Sequence, residues 1–479
     1  MTSQCPLALF IHRQLCSLTE KLVGYFQFGL ISSDLISECF VTRSVSTLTL
    51  AFLLSACQSV PGLTDAEAQQ VTAYTGAKIF DGEEFQAKTL CVLGQVIVRC
   101  PFNPGQSVDL SGQFLTPPFG DAHTHHFDGR YTLDWHRSMG LKSGAFYAMT
   151  MTAPTQGVIE IRDRLSGPGN IDVATSLGGI TGPESHPAEI YEALALNIRS
   201  YEDQVARSDE IHAGSRAADN AYYVVETEAD VRAKMDLLLG DRPDHIKVFL
   251  RKSDRYADGF GKWGPGGGID PTLLPLIAEL TDQAGVRLAV ANSNIHDFRA
   301  SLNVGADIIT HLPCYQDSEA DPDSIYYDVD VVDDCLISDT EALAAAELGM
   351  VSTLIVTEWV KDRPADLVAW EQQNIAALKA AGAPLVVATN AYGSTLTPGL
   401  IAGVDKGFVT PAEMLRMATM TTPKTIFPDR NIGCLDVGCE ASFISFPVNP
   451  IEDAAIIGEI SYRVKDGQFV DVAAEGDEG

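Results

Sequence analysis

Positive charge is scarce in this chain. Its 479 residues include 33 lysines and arginines against 64 aspartates and glutamates, which gives a formal net charge of −31 at pH 7. Nucleic-acid binding depends on lysine and arginine side chains that neutralise phosphates, and no basic run of the needed density is present. The composition therefore argues against a nucleic-acid partner and is typical of an acidic, well-solvated surface.

Two signatures of common catalytic loops are also missing. No Gly-x-Ser-x-Gly elbow is present, which argues against a hydrolase with a nucleophilic serine. The glycine-rich run 264–268 is not followed by a helix-opening Lys-Ser or Lys-Thr pair, so it is not a phosphate-binding loop. Any catalytic function must be sought in other residues.

What the chain does have is apolar material for a large folded body. It is 46% hydrophobic and only 20% charged, which is unlike a disordered protein. Its length suits one barrel-sized domain of roughly 250 residues and a smaller domain. We expect an N-terminal extension with a signal at 1–57, a small β domain made of 72–113 and 430–474, and a main body at 114–429.

The ten cysteines fall into two groups. Four precede the folded body, and the other six are neighbours along the chain: Cys91 and Cys100, Cys314 and Cys335, Cys434 and Cys439. This spacing suits three local disulfides in an oxidising compartment. The alternative, six buried free thiols, stays open.

An export signal is predicted near the N-terminus. A short apolar run follows Arg43, is too short to span a bilayer and ends in Leu-Ser-Ala-Cys at Cys57. That ending resembles the lipobox of bacterial lipoproteins, so we expect lipidation of Cys57 and a membrane anchor. Gln58 in place of aspartate favours the outer membrane, facing the periplasm or the exterior. An apolar helix packed on the main body is the alternative.

Residues 1–40 do not fit a signal peptide, because charged residues are scattered through them without a consistent pattern. We therefore expect translation to begin near Val41.

The central part of the chain alternates short apolar runs with amphipathic helical stretches. This pattern predicts an α/β fold, a parallel (β/α)8 TIM barrel, and the turn-rich segments at both ends predict a small β-sandwich-like domain. The predicted strands are 114–119, 144–151, 171–177, 245–250, 287–291, 307–312, 350–356 and 384–388, with helices at 187–198, 228–239, 271–284, 340–348 and 367–381. Functional groups of such barrels lie at the C-terminal strand ends.

Residues suited to metal binding occur at those strand ends. His123 and His125 are two apart on an extended segment, so both imidazoles point to one side and can reach one cation. Lys247 in the fourth strand stands among apolar residues, where a charged ammonium is costly and needs a functional reason. His311 ends the sixth strand.

With these residues the chain resembles the amidohydrolase superfamily, in its imidazolonepropionase and prolidase-like branch. The resemblance covers roughly residues 72–470 and includes the segment Thr-Pro-x-Phe-x-Asp-Ala-His-Thr-His that ends at His125. It implies that His123, His125 and His311 are metal ligands. It also implies a carboxylated Lys247 that bridges two metals.

Two positions depart from the family pattern. Ala291 stands where the fifth strand normally ends in a histidine ligand, and a methyl group binds no metal. Asn390 replaces the aspartate of the eighth strand, and an amide oxygen can ligate but is no general base near neutral pH. We expect one divalent metal, a zinc, held by His123, His125, Lys247 and Asn390, and a weak or absent second site at Lys247 and His311. Carboxylation of Lys247 stays open.

Other side chains are candidates for the missing base. They are Glu358 after the seventh strand, Glu184 and His186 after the third, His296 after the fifth, and Asp317 after His311. Each is also compatible with a loop residue whose hydrogen bonds are satisfied. The predicted catalytic residues are Asn390, Glu358 and His311. Of these, His311 would polarise the substrate carbonyl or bind a second ion.

The resemblance thus implies hydrolysis of a C–N bond in a small amide, cyclic amide or dipeptide-like substrate by metal-activated water. The alternative is a catalytically inactive, ligand-binding surface lipoprotein that keeps the barrel.

Overall fold

Parallel strands alternating with helices dominate the described part of the chain. The computed structural model describes residues 63–258, 268–313 and 335–472, all of which belong to one compact unit. None of the helices found there is both long and apolar enough to cross a bilayer. Cys57 and the predicted signal lie outside the described residues.

The strands have the following bounds: β1 Thr72–Thr75, β2 Lys78–Phe80, β3 Phe85–Ala87, β4 Leu90–Leu93, β5 Val96–Val98, β6 Gln106–Asp109, β7 Phe114–Thr116, β8 Phe119–Thr124, β9 Ala145–Thr150, β10 Asp172–Thr175, β11 Gly179–Thr181, β12 Tyr222–Val224, β13 His245–Phe249, β14 Arg287–Ala291, β15 Ile308–Ile309, β16 Val351–Ile355, β17 Leu385–Ala388, β18 Phe443–Phe446, β19 Tyr462–Lys465 and β20 Gln468–Phe469.

The α-helices are α1 Asp65–Ala68, α2 Leu133–Ser143, α3 Thr155–Ile161, α4 Ala188–Ala195, α5 Tyr201–Ala206, α6 Ser208–His212, α7 Glu228–Gly240, α8 Leu274–Ala284, α9 Ile295–Asn303, α10 Asp339–Leu348, α11 Val356–Val360, α12 Ala365–Ala381, α13 Thr397–Asp405, α14 Pro411–Arg416 and α15 Thr422–Ile426. A π-helical segment, Met417–Thr421, joins α14 to α15. Short 3-10 helices occur at Arg162–Arg164, Ser253–Asp258, Pro271–Leu273 and Ala454–Gly458.

Two parallel sheets carry the C-terminal strand ends where the predicted site lies. One has the order β10-β9-β8, and the other has the order β12-β11-β13-β14-β15-β16-β17. They meet just beyond β17, where the backbone N–H of Asn390 donates to the carbonyl of His123 in β8 at 2.7 Å. The predicted parallel α/β architecture is therefore confirmed.

The strand pairing decides which side chains share a face. Lys247 pairs with Ala289, and Phe249 pairs with Ala291, so alternation along the strands places Ala291 on the same face as Phe249 and Lys247. Small side chains of neighbouring strands, among them Ala122 and Ala388, pack together in a separate buried cluster.

The predicted first strand is divided in the structure. Pro117 and Pro118 supply no backbone N–H for a ladder, so the segment before them, β7, pairs with β18 and β2, whereas the segment after them, β8, joins the parallel sheet. The two short strands β11 and β12 lie outside the predicted set. The other predicted strands and helices agree with the structure within a few residues.

Strands from both ends of the chain share a six-stranded sheet of order β20-β19-β18-β7-β2-β3. A four-stranded sheet, β5-β4-β1-β6, adjoins it through a common apolar cluster that contains Tyr74, Leu90 and Phe443. Disulfides join Cys91 to Cys100 and Cys434 to Cys439, as the spacing predicts. Cys314 of the third predicted pair lies outside the described residues.

Candidate active site

Histidines from separate strands meet at the C-terminal edge of the parallel sheets. His123 lies in β8 and is 2% exposed, and His125 directly follows that strand. His311 lies two residues beyond the end of β15. The ring centroid of His123 is 5.2 Å from that of His125 and 5.0 Å from that of His311. The structure thus brings these three predicted ligands together.

Backbone carbonyls fix the tautomers of two of these rings. Nδ1 of His123 donates to the carbonyl of Thr310 at 3.2 Å, and Nδ1 of His311 donates to the carbonyl of Asn292 at 3.3 Å. Because a carbonyl only accepts, the proton of each neutral ring is on Nδ1 and the lone pair is on Nε2. This is the arrangement by which neighbouring backbone orients metal-binding histidines.

His125 connects the first strand to the predicted ligand after the last. Its Nε2 lies 3.2 Å from Oδ1 of Asn390, and its Nδ1 lies 3.3 Å from Oγ1 of Thr152. Asn390 has a φ of 46°, in the left-handed region that asparagine tolerates better than most residues. Two donors of one tetrahedral zinc are roughly 3.3 Å apart at the usual bond lengths of about 2.0 Å. The spacing of these two atoms therefore suits a shared cation.

Lys247 is completely buried beneath the histidines. Its Nζ donates to Oγ1 of Thr310 at 2.8 Å and lies 5.1 Å from the ring centroid of Phe249. Within the described ranges no carboxylate forms an ion pair with it. Burial lowers the pKa of this amine well below its usual value, which favours the neutral form that can ligate a metal.

Burial also keeps the three histidines neutral. Burial is the largest cause of the shift in each case. It lowers the pKa values of His123 and His311 well below the usual value and contributes most to lowering the pKa of His125 to about 4. Lys247 adds to each effect. Neutral imidazoles retain the lone pairs that bind a metal.

These residues provide enough donor atoms to bind one metal ion. Over the described ranges, no three His, Cys, Asp or Glu side chains form a ready-made metal site. The remaining set combines the imidazoles with the Asn390 oxygen and the Lys247 amine, and Ala291, on the same strand face as Lys247, adds no donor. Such a set suits one cation held mainly by His123 and His125, and it lacks the carboxylates that would stabilise a second.

A cavity of about 670 Å³ opens above these residues. His123, His125, His311 and Asn390 line its floor together with Thr152. Its other walls are formed by Asp128, Thr132, His186, Pro187, Ile190, Tyr191, Leu194, Arg199, Phe249, Ala391 and Tyr392. The volume lies in the range usual for small-molecule sites.

Most of the other predicted base candidates lie away from this cavity. Glu358 is in α11 and pairs with Nζ of Lys361 at 2.8 Å, and it is not among the cavity residues. Glu184 lines a separate space of about 90 Å³. His296 lies 3.8 Å from Asp254. Asp317 lies outside the described residues, so His186 is the candidate that the structure places in the cavity.

Sequence reasoning missed the residues that support this site from other strands. Thr310 contacts both Lys247 and His123, yet it directly follows β15, whereas those residues lie in β13 and β8. Thr152 reaches His125 from the segment after β9. Arg199 and Glu189 had no motif to mark them, although Glu189 stands three residues after His186, a spacing that allows contact on a helix.

No family model and no curated protein matches the chain. Solved structures do. A Xaa-Pro dipeptidase with bound methionine superposes with a TM-score of 0.62 at 16% identity, over 84% of this chain and 100% of that chain. Ochratoxinase of A. niger gives 0.62 at 16% identity over 84% and 95%, and phenylurea hydrolase B gives 0.60 at 17% identity over 84% and 97%.

An amidohydrolase is among the similar structures too, with a TM-score of 0.62 at 15% identity over 85% of this chain and 100% of that one. At these identities the likeness establishes the fold. The chain has the fold of amidohydrolase and prolidase structures, and the resemblance predicted from the His123 and His125 segment is confirmed at that level.

Proposed function

We propose that this chain, which shares the fold of those amidohydrolases, hydrolyses a C–N bond in a small amide or dipeptide-like molecule. The observation that carries the proposal is the meeting of His123, His125, His311 and Asn390 on the floor of one cavity. We take the two parallel sheets as one (β/α)8 barrel with a β-sandwich-like domain built from both ends of the chain.

We assign the binding of a single zinc ion to His123 and His125. The neutral amine of Lys247 would be the third donor, which leaves one position open for water, and Oδ1 of Asn390, beside the His125 ring, would be a further oxygen that expands the coordination to five. A cation bound there would lower the pKa of a water molecule and polarise a substrate carbonyl. Imidazole ligands suit zinc, which commonly keeps three protein ligands and one open position in catalytic sites.

The tautomer of His311 narrows its predicted role. Its Nδ1 already donates to the carbonyl of Asn292, so Nε2 of the neutral ring carries a lone pair and no proton. Such a ring cannot donate a hydrogen bond from Nε2 to a substrate carbonyl. Of the two roles predicted for His311, we therefore favour the binding of a second, weakly held ion that dialysis would remove.

The walls of the cavity indicate the kind of molecule that would fit. Ile190, Leu194 and Phe249 give it an apolar side, and the first two are 37% and 51% exposed. Arg199 supplies a cation, and Asp128 supplies an acid at the same opening. This combination suits an acyl amino acid or dipeptide with an apolar side chain and a carboxylate.

The test is hydrolysis of dipeptides, N-acyl amino acids and cyclic amides by the purified chain, before and after metal removal and zinc addition. We expect turnover that depends on metal, and about one zinc per chain after dialysis. His123→Ala and His125→Ala should lose both properties, whereas His296→Ala, outside the cavity, should keep them. Two tightly bound metals, or no hydrolysis of any substrate class, would count against the proposal.

A second candidate function is favoured by Ala291 and Asn390. With a metal ligand and the usual base both absent, the same cavity would serve a binding protein that has lost turnover. The Ala291→His/Asn390→Asp double variant separates the two functions. Hydrolysis by the variant alone would favour the binding protein, and hydrolysis by the unmodified chain would exclude it.

We also propose that the chain is exported and anchored through a lipid on Cys57. The disulfides Cys91–Cys100 and Cys434–Cys439 support an oxidising compartment, because such bonds are rare in the cytosol. Labelled palmitate should be incorporated into the wild-type chain in a bacterial host and not into Cys57→Ser. Equal labelling of both, or of neither, would contradict the anchor.

A further inference from the structure

The cavity contains a histidine that the metal assignment does not use. His186 lies between β11 and α4, lines the cavity, and has a side chain that is 31% exposed. It is close enough to His125 and His311 to influence both of their pKa values. Its ring centroid is 5.2 Å from that of Phe249, which holds the ring at the wall.

A buried carboxylate orients this ring. Nδ1 of His186 lies 2.6 Å from Oε1 of Glu189, whose side chain is 6% exposed. Burial opposes ionisation of Glu189, but the adjacent His186 and its hydrogen bond outweigh it, so the pKa of this carboxyl is lower than usual. An ionised carboxylate only accepts, which places the proton of the neutral ring on Nδ1 and leaves the Nε2 lone pair for the cavity.

The backbone at His186 is held as well. Oγ1 of Thr181, at the end of β11, donates to the carbonyl of His186 at 2.6 Å. Glu189 stands in the first turn of α4, where the helix dipole favours a negative charge. Both anchors belong to regular structure, so the ring is fixed relative to the sheet rather than carried on a free loop.

The other acid of the cavity is engaged at the opening. Asp128 accepts hydrogen bonds from Oγ1 of Thr132 at 2.5 Å and from the hydroxyl of Tyr392 at 3.4 Å. Its charge influences the pKa values of His136, Tyr191 and Tyr392 rather than those of the floor histidines. His186 is therefore the better-placed proton acceptor.

We propose that His186 carries the proton in the hydrolytic reaction, in place of the aspartate that Asn390 replaces, and that Glu189 is its positioning residue. The inference rests on the proposed function. As the oxygen of water bonds to the acyl carbon, Nε2 of His186 accepts one proton of that water. When the C–N bond breaks, the imidazolium returns the proton to the leaving nitrogen, so amide and water become acid and amine with no further reactant.

The experiment compares His186→Asn and Glu189→Gln with His296→Asn, a matched control in which a partly exposed histidine near a carboxylate is changed outside the cavity. For the best substrate of the amide panel, His186→Asn should lower kcat by roughly 10²- to 10⁴-fold, the usual effect of a general base. Glu189→Gln should lower kcat by about 10- to 100-fold, the range seen for orienting partners. KM and the zinc content should stay near wild type in both.

Rescue distinguishes proton transfer from a structural role. Adding Asn390→Asp to His186→Asn supplies a carboxylate next to His125, so turnover should rise again if a missing base is the only defect. A second readout needs no turnover: ¹⁵N spectra of the metal-free chain should show the His186 ring protonated at Nδ1, with a signal that moves in Glu189→Gln.

The outcomes separate this inference from the proposed function. An active wild type with an equally active His186→Asn would overturn the role of His186 and leave the hydrolase intact. An inactive wild type with an active Asn390→Asp variant would overturn both, since the native site would then have no working base. A His186 ring protonated at Nε2, or unaffected by Glu189→Gln, would overturn the pairing by itself.

Discussion

Among the residues that the structure describes, two lysines are completely buried, and their surroundings differ. Nζ of Lys465 lies 2.8 Å from Oδ1 of Asp172 and donates to the carbonyl of Gly167 at 2.9 Å, so its position is that of a structural ion pair. Lys247 has only the hydroxyl of Thr310 as its hydrogen-bond partner within the described ranges. Burying an amine without a carboxylate stabilises no fold, which is why a functional reason is expected for Lys247 and not for Lys465.

The first prediction compares Lys247→Met with Lys465→Met. The Lys247 variant should unfold within about 1 kcal/mol of wild type, because methionine fills the space and removes a poorly solvated amine, but it should retain much less zinc. The Lys465 variant should lose about 3 kcal/mol, because it leaves a buried carboxylate with one cation fewer. Urea unfolding and metal analysis check both. A large stability loss in Lys247→Met would show that the amine is structural.

Arg199 is the residue on which the predicted preference for a substrate carboxylate depends. Its Nε donates to Oδ1 of Asn197, and its guanidinium lies at the cavity wall. Hydrogen bonds to charged groups contribute about 1.5–3 kcal/mol, so Arg199→Ala should raise KM for acyl amino acids roughly tenfold or more. KM for neutral amides should change little. Arg207→Ala, an exposed arginine paired with Glu210, is the control. An equal change for both substrate classes would argue against carboxylate recognition.

At the scale of strands and helices, the sequence predicts what is local. The predicted strand 287–291 is apolar after its first residue, Arg287, because both faces of a parallel strand are buried, and the structure places β14 at Arg287–Ala291. The predicted strand 114–119 is divided into β7 and β8, which the sequence analysis missed although Pro117 and Pro118 indicate a break in the strand. The short strands β11 and β12 were missed because three residues carry too little periodicity to identify a strand.

Helix α10 begins with a capping box, a local sequence signal, and the glutamate of this box makes the stability of the fold depend on pH. Ser338 and Glu341 form its capping box, and Glu341 additionally accepts from Nε of Arg299 at 2.6 Å. Burial acts against ionisation of Glu341, but the hydrogen bonds from Arg299 and Ser338 outweigh it, so the pKa of this carboxyl is lowered. A lowered pKa means that Glu341 stabilises the fold above its unfolded pKa of about 4.3 and loses that effect as the pH falls through the folded value.

Glu341→Gln should therefore lower the free energy of unfolding by roughly 1 kcal/mol at neutral pH and leave it almost unchanged near pH 2.5. Thermal unfolding at the two pH values checks this. Glu347→Gln is the control, because Glu347 is exposed in the last turn of the same helix. A loss that persists at low pH would mean that the effect of Glu341 comes from packing rather than from its charge.

At the scale of the whole molecule, the candidate site was only partly visible in the sequence. The spacing of His123 and His125 follows from strand geometry, and Lys247 is conspicuous as a charge among apolar neighbours. The carbonyls of Thr310 and Asn292, which fix the tautomers, come from segments that follow other strands than those of the histidines they contact. His123 and Thr310 are 187 residues apart in the chain, and no local sequence pattern predicts such a contact. The cavity-facing role of His186 likewise depends on how α4 is placed.

The C-terminal part of the chain is tied to the parallel sheet through Asp172 at the start of β10. Oδ1 of Asp172 accepts from Nζ of Lys465 in β19, and Oδ2 lies 2.8 Å from Nη1 of Arg430, which itself pairs with Glu440. Asp172 is almost fully buried, so water could not take the place of its carboxylate as the partner of these two cations.

Asp172→Asn should therefore lower the free energy of unfolding by about 3–5 kcal/mol, because two buried or half-buried cations lose their shared carboxylate. Asp436→Asn is the matched control: its pair with Lys88 is exposed, and its loss should cost less than about 1 kcal/mol. Urea unfolding followed by both tryptophan fluorescence and far-ultraviolet circular dichroism measures the two variants. If the network also holds the terminal sheet against the parallel sheet, the two probes should coincide in wild type and separate in Asp172→Asn. If the two variants lost equal stability, the buried Asp172 network would contribute no more than an exposed ion pair to the joining of the C-terminal segment and the parallel sheet.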